Sequence, residues 1–362
     1  MAERLKDMFF TEDSVKAFGK TLKKHHKGFQ EKRFYDVVLS KEFQDLELMQ
    51  MGREATECLA TLLPKSYKQA VKILLKAAPE VGGFEAICLP NYIETYGLDD
   101  WDTSLDAMAT LTTYFSCEFA IRPYIKADPE RAMAFLESLA DHEDDKVRRF
   151  ASEGCRPRLP WAMALPDFKK DPTPVLPILE KLKDDESESV QKSVANNLND
   201  ISKDNPSQVL DICERWKGSS KSADWIIKRA CRTMLKEGDK RAMMLFGFGD
   251  PKSLNVKNLK LTKKNLKIGE EVQISWVLDV GTKKKAKVRL EYVVEYAKAR
   301  GKTSKKVFQI SEKIFDPGSH QLKKKHAFAD MSTRKHYPGK HRISIVVNGV
   351  EKASIELTLK GK

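Results

Sequence analysis

The sequence lacks the signatures of the commonest enzyme chemistries. It has no Walker loop, no G-x-G-x-x-G, no H-E-x-x-H and no G-x-S-x-G, so nucleotide hydrolysis, dinucleotide redox chemistry and zinc proteolysis are weak candidates. Histidine is scarce: there are seven, mostly near the ends, with His142 alone in mid-chain. Six cysteines, Cys58, Cys88, Cys117, Cys155, Cys213 and Cys231, form no C-x-x-C pair. A zinc site is therefore not expected, and free thiols in a reducing cytosol are. No apolar run approaches the roughly 18 residues that span a bilayer. The opening MAERLKDMFF has charges but no apolar leader core, so secretion is not expected.

What the sequence does have is charge of one sign in one place. Of 362 residues with net charge +13, residues 251–362 carry 27 Lys and Arg against 10 Asp and Glu, a local net of +17. The remainder is net −4. Concentration in one module suggests a polyanion partner, DNA, RNA or an acidic surface, with a merely solvated basic surface as the alternative.

Residues 1–246 read as helix, with apolar residues at three- and four-residue spacing and turn signals at Pro79, Gly82-Gly83, Gly97, Pro129, Pro172, Pro206 and Gly218. Within them DPERAMAFLESLADHEDDKVRRFASEG, from Asp128, repeats as DPTPVLPILEKLKDDESESVQKSVANN, from Asp171, and a weaker third copy starts at Asn205-Pro206. An offset of about 40–47 residues marks HEAT-like helix pairs, which stack because no pair buries its apolar face alone. Asp-Pro is expected to open the first helix of each copy. In the second helix of the second copy Val190, Val194, Leu198 and Ile201 share a core face, and Ser193, Asn196, Asn197 and Asp200 form a neighbouring polar stripe, either simply solvated or, on the concave side of the stack, the working surface. After GFGDPKSLNV the period changes to two, as in EVQISWVLD. VRLEYVVEY, KKVFQISEKIF and LKKKHAFAD follow at strand length, and Asn348-Gly349 sits between two alternating runs as a hairpin turn. Several short strands in such a stretch suggest an immunoglobulin-like sandwich, without its disulfide because no cysteine follows Cys231.

Three segments stand out as carriers of chemistry. In SCEFAIRPYI, Glu118 lies in an apolar stretch with Arg122 four residues on, either a functional carboxylate or half of an i,i+4 helical ion pair. In VRRFASEGCRPRLPWAMALP, Arg148, Arg149, Arg156 and Arg158 crowd around two X-Pro steps and Trp161 follows Pro160. A rigid irregular connector of this kind presents arginines to phosphates and an indole to a base or sugar; the alternative is that Trp161 plugs the core between helix pairs. In SVANNLNDISKDNP, Asp200 follows three asparagines, which are mediocre helix formers and otherwise read as caps of a fraying helix end.

The strings WDTSLDAMATLTTYFSCEFAIRPYI, VRRFASEGCRPRLPWAMALPDFKKDPTPVLPIL and VANNLNDISKDNP resemble the AlkC DNA alkylation repair glycosylases, relatives of the AlkD proteins in the HEAT-like-repeat glycosylase superfamily. The resemblance covers nearly all of residues 1–246, and one branch of the family ends in an immunoglobulin-like domain. It implies a mainly α HEAT-like solenoid over residues 1–248 followed by a smaller all-β immunoglobulin-like sandwich over 254–362. It further implies a monofunctional glycosylase that hydrolyses the N-glycosidic bond of cationic 3-methyladenine and 3-methylcytosine in double-stranded DNA, as a monomer, without metal or cofactor, in the cytoplasm at the nucleoid. The implied catalytic cluster is Glu118, Trp161 and Asp200. The implied DNA contacts are Arg148, Arg149, Arg156, Arg158, Lys192, Lys228, Arg229 and Arg232. Gln191-Lys192 and Lys228-Arg229 depart from the Arg-Arg and Arg-His typical there, which touches individual phosphate contacts. A non-catalytic helical-repeat scaffold that binds nucleic acid or protein is the competing class, and an RNA-binding protein a third.

Overall fold

The computed structural model describes residues 8–331 and 334–361; residues 1–7, 332–333 and 362 lie outside it. The chain divides into two compact units, Met1–Ala230 and Cys231–Lys362. The change from helix to strand comes later, between Leu245 and Leu254.

The first unit is helical: α1 (Glu12–His25), α2 (Glu31–Val38), α3 (Lys41–Gln44), α4 (Leu48–Leu62), α5 (Tyr67–Ala77), α6 (Cys88–Tyr96), α7 (Trp101–Leu111), α8 (Arg122–Ala127), α9 (Pro129–Ser138), α10 (Asp145–Gly154), α11 (Pro166–Lys170), α12 (Leu176–Lys181), α13 (Glu188–Ile201), α14 (Pro206–Trp216) and α15 (Lys221–Ala230). Among the described residues no helix is long and apolar enough to cross a membrane.

The repeat explains the local structure of its copies, with one departure. Asp128 caps α9, its Oδ1 accepting from the Arg131 N–H at 3.1 Å, and Pro129 takes the first turn. In the second copy Asp171 accepts from Thr173 N–H at 3.0 Å, but a 3-10 turn over Thr173–Val175 comes before α12. The Asp-Pro pair therefore does not open the α-helix there. Pro174 and Pro177 remove backbone donors from the segment, which delays regular i→i−4 bonding. In the third copy α14 starts at Pro206 as expected, while Asn205 turns its side chain away to donate to the Lys169 carbonyl at 2.8 Å.

The second helices of the copies, α10, α13 and α15, pack side by side in that order. Val190, Val194, Leu198 and Ile201 are fully buried, as the period of α13 requires. The polar stripe beside them is not solvated: Ser193, Asn197 and Asp200 are buried too. The asparagines brace neighbours rather than cap an end. Asn197 donates to the Ser152 carbonyl of α10 at 2.8 Å, and Asn199 to the Ala230 carbonyl of α15 at 2.7 Å. These bonds offset the low helix propensity of Asn, since each satisfies a buried polar group.

The second unit opens with α16 (Arg232–Glu237) and α17 (Lys240–Leu245), then eight strands: β1 (Leu254–Leu261), β2 (Asn265–Lys267), β3 (Glu271–Val280), β4 (Ala286–Ala297), β5 (Thr303–Phe315), β6 (Gly318–Ala327), β7 (Gly339–Val347) and β8 (Val350–Lys360). One sheet has the order β1-β3-β6 and the other β2-β8-β7-β4-β5. Strand β2 pairs in parallel with β8, and the other ladders among the described strands are antiparallel. Alternation places Val272, Ile274, Trp276, Leu278 and Val280 of β3 and Val288, Leu290, Tyr292, Val294 and Tyr296 of β4 in one apolar core. Val347 and Val350 pair across Asn348-Gly349, whose positive φ values of 46° and 78° fit the tight hairpin expected there.

Candidate active site

The site residues of the first unit are placed by three pieces of chain: the turn before α8, the C-terminal half of α10 with the connector that follows, and the end of α13. Pro123 stands in the first turn of α8, so regular helix begins only at Arg122. Glu118 therefore lies in a turn and does not share a helix with Arg122. The partner of Glu118 is Arg149 of α10, whose Nη1 meets Oε2 at 2.8 Å. Ser116 also donates to Oε2, at 2.6 Å.

From Arg149 the contacts run on as a ladder of alternating charge. Nη2 of Arg149 lies 3.7 Å from Oε1 of Glu153, and that oxygen accepts from Nη1 of Arg156 at 2.6 Å. Arg156 then donates from Nε to Oδ2 of Asp200 at 2.9 Å. Lys203, one turn on, lies 3.3 Å from Oδ1. Ser193 of α13 donates to Oε2 of Glu153 at 2.6 Å and itself receives a bond from Ser152 at 2.7 Å. Glu153, Arg156 and Asp200 are all buried, at 6%, 7% and 3% exposure. Burying a charge is costly unless it is paired and hydrogen-bonded, and each of these three is both. Lys203, by contrast, is 41% exposed.

Trp161 is 69% exposed, which removes the core-plug alternative. Its φ is +65°, a left-handed backbone that a bulky side chain rarely adopts and that costs on the order of 1–3 kcal/mol. The irregular connector is anchored by buried Leu159 and Leu165, and the Leu165 N–H donates to the Pro157 carbonyl at 3.2 Å. A large apolar ring held outward in a strained conformation is a feature to expect where something is to be touched.

The remaining basic residues are dispersed. Arg148 forks onto Asp185, with Nε to Oδ2 at 2.6 Å and Nη2 to Oδ1 at 3.0 Å, and its Nη1 donates to the carbonyls of His142 and Glu143. Arg158 pairs with Asp204 at 2.8 Å, partly exposed. Lys192 meets Glu188 one turn back on α13. Lys228 and Arg229 lie in the last turn of α15, Arg229 over the Trp225 ring at 5.6 Å. Arg232 begins α16 in the second unit.

Sequence reasoning missed Glu153, and it named Ser193 in the polar stripe of α13 without its Glu153 partner. Glu153 sits in FASEG, a string without charge period, and only the pairing of α10 with α13 shows that its side chain points inward. It also misassigned Arg122, which is 1% exposed and bonds only backbone carbonyls. All six cysteines are buried, and burial pushes the Cys155 thiol beside Asn197 up to about 12, so no thiolate nucleophile adjoins the ladder. Among the described residues no group of three His, Cys, Asp or Glu is arranged to hold a metal ion.

Residues 99–238 match the family described as DNA alkylation repair enzyme, and residues 255–361 the C-terminal Ig-like domain described for the uncharacterised protein YhaZ. The chain is 40% identical over 348 residues, 96% of its length and 97% of the relative's, to the Bacillus subtilis (strain 168) protein YhaZ. It is 33% identical to the Pseudomonas fluorescens alkylpurine DNA glycosylase AlkC, solved bound to DNA containing an abasic site analog; the match covers 99% of this chain and 100% of that one, with a TM-score of 0.94.

Proposed function

The chain belongs to the AlkC-like family of DNA alkylation repair proteins, with a C-terminal immunoglobulin-like domain, and we propose that it is a monofunctional DNA glycosylase that releases cationic N3-methylated bases, 3-methyladenine and 3-methylcytosine, from duplex DNA. The observation that carries this reading is the ladder from Glu118 to Asp200, together with the outward Trp161 on the connector that also holds Arg156.

N3-methylation leaves a base positively charged, so it departs as a neutral molecule and needs no proton from the protein. What a catalyst adds is stabilisation of the oxocarbenium-like sugar and placement of a water. In this reading Asp200 and Glu118 supply negative potential at the sugar, Asp200 orients the water through Oδ1, and Trp161 lies against the sugar or the cationic ring. Arg149 and Arg156 keep the two carboxylates apart and in place. Arg158, Lys192, Lys228, Arg229 and Arg232 contact phosphates, and the basic sandwich adds sequence-independent affinity. The protein acts as a monomer and needs no cofactor. The test is direct: incubate purified protein with duplex DNA methylated by dimethyl sulfate and identify released bases by chromatography. Release of 3-methyladenine is the expected result, and intact methylated DNA at enzyme excess sinks the reading.

A further inference from the structure

Arg122 bonds three carbonyls that are far apart in sequence. Its Nε donates to Met163 at 2.5 Å, Nη1 to Gly154 at 2.8 Å and Nη2 to Arg156 at 2.9 Å. Gly154 ends α10, while Arg156 and Met163 stand near the two ends of the connector that carries Trp161. A planar guanidinium fixes the directions of its donors, so one side chain sets the helix end and both ends of the connector against each other. No carboxylate touches it, and burial lowers its pKa to about 10. A charge held in the interior by neutral acceptors alone is a costly way to fill space, and a leucine or methionine would serve if packing were the whole requirement. The grip also reaches the ladder. Arg122 holds the backbone of Arg156, and the side chain of Arg156 holds Glu153 and Asp200.

We propose that Arg122 is a positioning residue for base release: it fixes the connector so that Trp161 stands outward in its left-handed conformation at a set place relative to Asp200 before DNA arrives. The inference rests on the reading of Trp161 as a group that touches the substrate. Arg122 itself, buried beneath the connector, touches none.

The test combines a spectroscopic signature with a double-mutant cycle. The full-length protein is labelled with 5-fluorotryptophan, which gives one signal for each of its five tryptophans, and Trp161→Phe assigns Trp161. In Arg122→Lys, which keeps the charge but loses the fork, the Trp161 signal is expected to shift or broaden while the other four stay. Saturating single-turnover release from dimethyl-sulfate-treated duplex is expected to fall about tenfold or more, with affinity for abasic-analogue duplex held within about threefold. Combined with Trp161→Ala, the lysine variant is expected to add a clearly smaller loss than it causes alone, the remainder being what reaches Asp200 through Arg156. An unmoved Trp161 signal, or an undiminished loss in the Trp161→Ala background, overturns the proposal. Full release by Trp161→Ala instead overturns the substrate reading beneath it, while the fluorine signal still decides whether Arg122 holds the connector. Arg122→Gln, which leaves no stranded charge, is the second variant. If neither folds, the wild-type Nε proton decides: continued protection from exchange when abasic-analogue duplex binds supports the proposal, and loss of protection on binding overturns it.

Discussion

Two donors of Arg156, Nε and Nη2, converge on a single oxygen of Asp200, each at 2.9 Å. One carboxylate oxygen is thus committed to Arg156, and the other lies 3.3 Å from the Lys203 ammonium. Asp200→Asn is expected to keep the fold, because the amide oxygen still accepts from Arg156. Base release in single turnovers is expected to fall by about a hundredfold or more, with DNA affinity within a few-fold. Full activity in this variant removes Asp200 from the mechanism.

Glu118→Gln is expected to slow release by a smaller factor, on the order of tenfold. Glu118 is already neutralised by Arg149, not by Arg122, so Arg149→Met is expected to perturb the site in the opposite electrostatic sense. Rates of the two single variants and the double variant, measured at enzyme excess, check the coupling; strict additivity argues against a shared ladder.

Trp161 separates activity from stability. Trp161→Gly is expected to stabilise the protein by about 1 kcal/mol, because glycine adopts the positive φ without strain, and to impair release. Urea denaturation and the release assay on the same preparation test both halves. A variant less stable than wild type shows that the ring contributes packing despite its exposure.

In the sandwich, the register aligns Lys260 and Lys323 on either side of Ser275, and both lysines are exposed. Replacing both by Ala is expected to make the dependence of log affinity on log salt shallower by up to about two. Binding to duplex DNA titrated across a salt series reads the slope; no change shows that these lysines do not reach phosphates.

The sandwich also carries a pH dependence. His326, His336 and His341 are buried around Tyr296 and Phe328. Burial lowers the pKa of all three, that of His326 to about 4. Neutral rings are thus favoured by folding, so the stability they confer is present above the unfolded value of about 6.5 and drains away as pH falls toward 4. Hydrogen exchange of β4 and β7 amides in the whole chain, corrected for intrinsic rates, is expected to quicken between pH 7 and 5. His326→Phe is expected to flatten that dependence.

Elements whose signal is local were legible in the sequence. The Asn348-Gly349 hairpin, the alternation of β3 and the offset between α10 and α13 all follow from neighbours along the chain. Strand β1 was not recognised as a strand, because a break in register near Asn258, with φ +54°, disrupts its alternation. Of the candidate site, the irregular connector that carries Trp161 was legible from its two X-Pro steps. The site was not legible where the meaning of a residue depends on the neighbouring helix: Glu153 looks like a surface residue until α13 is laid beside α10. The stripe of α13 failed for the same reason. Its polarity is real, but its counterpart is the polar face of α10 rather than water.

Helical arrays whose repeats meet through interchangeable apolar faces can gain or lose a unit and still fold. The polar seam between α10 and α13 removes that freedom. Ser152, Glu153 and, just past the end of α10, Arg156 on one side match Ser193, Asn197 and Asp200 of α13 on the other, and neither helix offers the same pattern to a copy of itself. The array is therefore fixed in length and order at its centre. A duplication or deletion of one 43-residue copy, the offset from Asp128 to Asp171, would leave these groups unmatched in the interior.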